Sequence, residues 1–91
     1  MFLAQVIGEV VATVKHAALR NRKILVVDMI GTDARPLGQS LLAIDSVDAG
    51  VGDVVLVVDE GSSAAVVTGL SDPPIRTVIV GVVDEVHEGS E

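Results

Sequence analysis

The sequence contains no cysteine, tryptophan or tyrosine, and Phe2 is its single aromatic residue. Without cysteine there is no disulfide, no thiolate nucleophile and no thiolate-bound metal. One phenylalanine cannot supply the row of aromatic faces on which single-stranded nucleic acid stacks. Cations are scarce too: six Lys and Arg stand against thirteen Asp and Glu, a formal charge of −7. Neutralising a phosphate backbone requires the opposite sign, which excludes nucleic acid as a partner. The opening stretch MFLAQVIGEVVATVK has no basic n-region and carries Gln5 and Glu9 inside its apolar run. Neither a signal peptide nor a membrane span is expected there, and the cytoplasm is the expected compartment.

What the chain does have is small aliphatic residues. Of its 91 residues 49% are apolar, and the mean hydropathy is +0.61. The length implies one domain over residues 1–91, and a domain of this size buries only about 60–65% of the surface its unfolded chain exposes. Val, Ile, Leu and Ala fill such a core with many thin contacts and no large anchors. Burying more apolar surface against other subunits is the natural supplement, so self-association is expected.

The patterning is that of strands. From Phe2 to Val14 one alternate set is Phe2, Ala4, Val6, Gly8, Val10, Ala12 and Val14, whereas the other includes Gln5, Glu9 and Thr13. Period two with this valine content predicts a long first strand, with Gly8 marking a bend or bulge. HAALRNRK is a polar connection, and Ile24–Met29 is the second strand. IGTDARPLGQS reads as an exposed loop of about ten residues because of its Gly31, Asp33, Pro36 and Gly38. Ser40–Val47 and Val54–Val58 follow as strands three and four, DEGSSAA could carry one serine-capped helical turn, and Thr77–Val86 is strand five. These elements predict an all-β fold, a small five-stranded OB-like barrel with a short helical turn.

Searching for chemistry gives little. DSVDAGVGDVVL places Gly50 at the sixth position of a calcium loop, but Val47 and Ala49 occupy ligand positions and Leu56 replaces the bidentate Glu. EGSSAA lacks the second glycine of a nucleophile elbow and has no histidine partner nearby. His16 and His87 show no metal or base pairing and read as exposed loop residues. Asp28, Asp45, Asp59 and Asp84 lie in or at the ends of strands, where bonding to backbone amides and to basic residues at a subunit boundary is the simpler role. Thus no catalytic residue, no cofactor and no metal site is expected.

Three stretches taken together carry a resemblance: VIGEVVATVKHAAL, LLAIDSVDAGVGDVVLVVDEGSSA and VIVGVVDEV. They resemble the EutN/CcmL family, whose usual pattern runs V-x-G-x-V-x-A-T-x-K, A-x-D-x-V-G-A-G-x-G-E-x-V-L, G-S-S-A-R and I-V-G-I-V-D. Gly8, Thr13 and Lys15 fall in the first motif, Asp45, Gly50, Gly52 and Asp53 in the second, Gly61 to Ala64 in the third, and Gly81 and Asp84 in the last. Asp48 stands where the family commonly has glycine, Asp53 replaces a frequent glutamate, and Ala65 replaces the closing arginine, which puts in doubt any ion pair made there. The resemblance implies a cyclic homopentamer that caps the vertices of a bacterial microcompartment shell built mainly from hexameric shell proteins. In such a ring the glycine loops Asp48, Ala49, Gly50, Gly52 and Gly61, Ser62, Ser63, Ala64 are candidates for an axial pore or a subunit interface. The competing expectation is a free-standing OB-type module binding a small ligand or protein partner, which would be a monomer.

Overall fold

A computed structural model describes residues 1–13, 19, 22–59 and 75–87. Its elements are β1 (Phe2–Glu9), β2 (Ile24–Ile30), β3 (Pro36–Asp45), β4 (Val54–Asp59) and β5 (Thr77–Val82). They close into one barrel in the order β1-β2-β3-β5-β4. The neighbours are antiparallel apart from β3 and β5, which run parallel and share the two pairs Ile44↔Val78 and Asp45↔Ile79. Two hydroxyls reinforce this short seam: Ser46 Oγ donates to the Ile79 carbonyl at 2.6 Å, and Thr77 Oγ1 donates to the Leu42 carbonyl.

Alternation decides what fills the barrel. Ala4, Val6, Leu25, Val27, Ala43, Val55, Val57 and Ile79 point inward and are buried, with Phe2, Leu41 and Val47 packed against them. Their strand neighbours Ile24 and Ile44 therefore face the other way, where they form a second cluster with Leu19, flanked by Val10 and Ile75. The expected irregularity at Gly8 is present, since the β1–β2 register shifts between Val6 and Gly8. A bulge there lets β1 curl around a core made of small side chains.

Element boundaries correct several expectations. β1 ends at Glu9 and does not run on to Val14, which lies outside the described residues. Its partner β2 begins at Ile24, so Glu9↔Leu25 and the bond from Val10 N to Ile24 O exhaust the ladder. β5 stops at Val82, short of the expected Val86, for the same reason: Val83 N reaches Val54 O, the first residue of β4, and the carbonyl before it, of Asp53, is taken by Val6 N of β1. β3 starts at Pro36 instead of Ser40 and ends at Asp45. The anticipated ten-residue loop is thus a tight connection over residues 31–35, held by Gly31 N to Arg35 O and Ala34 N to Gly31 O, both 3.0 Å. Proline is tolerated because it opens the strand, and the register shift between Asp28 and Ile30 absorbs the irregularity. The helical turn expected within DEGSSAA falls on residues 60–65, outside the described residues.

Candidate functional site

The loop joining β3 to β4 holds the first group of candidate residues, and two aspartates build it. Asp45 closes β3 with its side chain only 3% exposed. Its Oδ1 accepts from Val47 N at 3.1 Å, and both its oxygens accept from Ala49 N, at 3.2 and 3.1 Å. A buried carboxylate needs such donors and a nearby cation to offset lost hydration. The cation is Lys23, which precedes β2 and whose Nζ lies 3.5 Å from Asp45 Oδ2. The backbones of the two residues also meet, Asp45 N donating to Lys23 O at 2.9 Å. Lys23 Nζ further donates to the Ala49 carbonyl at 2.5 Å and to Asp48 Oδ1 at 3.3 Å. Partial desolvation opposes the charged ammonium, but the hydrogen bond to Asp48 and the charges of Asp45 and Asp48 outweigh it, so the Lys23 pKa is raised.

The second half of the loop is a turn closed by Asp53. Gly50 N donates to Asp53 Oδ2 at 2.8 Å, and Asp53 N donates to Gly50 O at 3.0 Å. The turn is fastened to β1 by Gly52 N to Val6 O and by Val6 N to Asp53 O. Two residues adopt left-handed backbone, Asp48 at φ 60° and Gly52 at φ 96°. For Asp48 this conformation gives a physical reason why glycine would suit the position. Asp tolerates it better than most residues, and here its carboxylate also has Lys23 as a partner.

The candidate residues therefore divide. Asp48 is open to solvent, its side chain 97% exposed. Ala49 is fully buried and belongs to the barrel core, so its side chain packs inward. Gly50 and Gly52 shape the turn, and between them Val51 stands 68% exposed. Gly61, Ser62, Ser63 and Ala64 lie outside the described residues, as does His16. Of the other aspartates, Asp28 accepts from the Ser40 hydroxyl at 2.5 Å, and Asp84 borders a groove. His87 is exposed, with Nε2 2.7 Å from Glu85 Oε2. Asp45 does bind backbone amides and a basic residue, but Lys23 comes from its own chain. Lys23 itself went unnoticed in the sequence; the signal was register, because Ile24 pairs with Ile44 and so sets Lys23 beside Asp45.

Chemically, the arrangement spends its carboxylates on its own backbone. Among the described residues no three His, Cys, Asp or Glu side chains gather where they could hold a metal. The groove beside Leu3, Ile30, Val54 and Asp84 has a volume of about 110 Å³, smaller than the roughly 300–1,000 Å³ of small-molecule sites. A closed barrel of five strands with a rim loop braced from inside defines the class: a small all-β barrel. Residues 1–84 match the family described as ethanolamine utilisation protein EutN/carboxysome. The bacterial microcompartment shell vertex protein EutN of Escherichia coli K12 is 42% identical over 91 residues, covering 100% of this chain and 95% of that one. The carboxysome shell vertex protein CcmL of a Synechocystis species is 39% identical over 90 residues, covering 99% and 89%. Among solved structures, the GrpN pentameric microcompartment shell protein from Rhodospirillum rubrum superposes with a TM-score of 0.84 at 35% identity, covering 98% of this chain and 100% of that one. The chain belongs to the EutN/CcmL family.

Proposed function

We propose that this chain is a structural shell protein that forms the pentameric vertices of a bacterial microcompartment in the cytoplasm, with no reaction of its own to catalyse. The observation that carries this reading is the near-complete match, at about two residues in five, to relatives named as shell vertex proteins. Physically, one heterologous contact repeated about a five-fold axis closes on itself, and a pentagon set among hexagons introduces the curvature a closed shell requires. The partners of the ring are hexameric shell proteins. Asp48 to Gly52 and Gly61 to Ala64 face the five-fold axis or the neighbouring subunit; for the first loop, the support is its bracing from within and the exposure of Asp48 and Val51.

Native mass spectrometry tests the assembly. Five copies of the 9.4 kDa chain weigh 5 × 9.4 = 47 kDa, and this species should dominate. A monomer at every concentration would remove the vertex reading. The loop assignment is tested by Gly50→Trp and Ser63→Trp, which should weaken the ring. Variants that both assemble like the parent would make the loops peripheral.

A further inference from the structure

We infer that Lys23 is a positioning residue for assembly: from the start of β2 it holds the loop after β3 in the shape its neighbour in the ring receives. The inference rests on the vertex reading and adds to it a residue and a mechanism.

The two halves of the loop are held differently. Residues 50–53 are secured by the Asp53 turn and by two backbone bonds to Val6, in which Lys23 has no part. Residues 47–49 depend on the Asp45 carboxylate, and that carboxylate has Lys23 as its cation. The same ammonium caps the Ala49 carbonyl and restrains the Asp48 carboxylate, whose backbone is left-handed. One side chain thus gathers a buried acid, a carbonyl and an exposed acid, from three residues of a single turn. Without it Asp45 keeps its amide donors but loses its cation, and Asp48 loses the partner its side chain has among the described residues. The barrel ladders would remain intact.

The consequence falls on association because Asp48, an exposed side chain of the loop, is carried on the half that Lys23 braces. A surface ordered before contact loses less conformational entropy when a neighbour docks. Lys23 makes that ordering in advance, and its stem reaches from the residue before β2 to the loop that follows β3.

The test compares the parent with Lys23→Met, which keeps the stem and removes the charge, and with Lys23→Arg, which keeps the charge. A dilution series in native mass spectrometry reads the ring, and amide hydrogen exchange reads the loop. Lys23→Met should raise the concentration at which half the ring dissociates by about tenfold or more. It should speed exchange at the Ala49 amide by about tenfold while Gly52 and the β1 and β4 amides stay within about twofold. Lys23→Arg should recover most of the loss. A Lys23→Met ring that dissociates at the parental concentration, or an Ala49 amide that exchanges as before, overturns the inference. If Lys23→Met fails to fold, Asp48→Asn decides, because it frees only the exposed side of the contact. About threefold weaker assembly supports the inference and unchanged assembly refutes it. A parent that never forms the ring refutes the vertex reading before any variant is compared.

Discussion

Gly50 and Gly52 sit two positions apart in one loop, and the backbone assigns them opposite responses to the same substitution. Gly52 has φ 96°, and a Cβ built on it would meet nothing within 4 Å. Gly52→Ala therefore creates no clash and carries only the backbone penalty, about 1–2 kcal/mol for an L-residue in left-handed conformation. Alanine also stiffens the unfolded chain, which offsets about 0.4–1 kcal/mol. The net expectation is a loss of about 0.5–1 kcal/mol, or roughly 2–8 °C in Tm for a domain of this size. Gly50 is not among the positive-φ glycines, and its added Cβ would lie 4.0 Å from Asp53 Oδ2, ordinary van der Waals contact. Only the unfolded-state effect remains, so Gly50→Ala should be neutral or more stable by up to about 1 kcal/mol. Far-ultraviolet circular dichroism is the suitable probe, since the chain has no Trp or Tyr for fluorescence. All variants must be melted at one protein concentration, because ring formation couples Tm to concentration. Equal destabilisation by the two alanines would refute the reasoning. A Gly50→Ala chain that melts like the parent but assembles less would place Gly50 at a subunit contact.

Ile79 is fully buried in the barrel, and Ile79→Ala should lower stability by about 3 kcal/mol in urea denaturation, with Ile79→Val losing about 1 kcal/mol. Ser46→Ala removes the hydroxyl bond to the Ile79 carbonyl and should destabilise the β3–β5 seam by about 1 kcal/mol in the same assay. The raised pKa of Lys23 means that its stabilisation of the loop is fully present below the ordinary lysine value of 10.5 and is lost as pH rises through the raised value. Loop exchange measured across alkaline pH, corrected for the intrinsic rate, should show this loss in the parent and not in Lys23→Met. Five copies together carry 5 × (−7) = −35, so screening should tighten the ring as salt rises from about 0.01 to 0.15 M, where the Debye length falls from about 30 to 8 Å. A ring that dissociates over that range would point to attractive ion pairs between subunits.

Most of the barrel was legible because alternation is a local property. Ala4 and Val6 against Gln5 declare a buried and an exposed face before any partner strand is known, whereas Leu42 and Ala43 are both apolar and only the fold separates them. Gly8 as a bulge was legible for the same reason. Strand ends were not, since β1 and β5 stop where their neighbours run out, which only the register reveals. Pro36 and Gly38 carry loop chemistry yet lie in β3, where proline opens the strand and Gly38 takes φ 82°. In the candidate loop, the glycines and aspartates marked the place, but their division of labour was hidden. The burial of Ala49 and the reach of Lys23 to Asp45 depend on strands brought together by the closed sheet.

The last strand in the sequence is not the last in the barrel: β5 is inserted between β3 and β4. Without it, the pairings that remain are those of a sheet ordered β4-β1-β2-β3, with a bare edge on each side. Until β5 docks, a folding chain therefore presents two unpaired edges, of the kind that recruit stray strands. The wedge then joins β4 along five pairs and β3 along two. Closure therefore rests on the last-made strand, and with its arrival disappear the two edges through which one half-folded chain could pair with another.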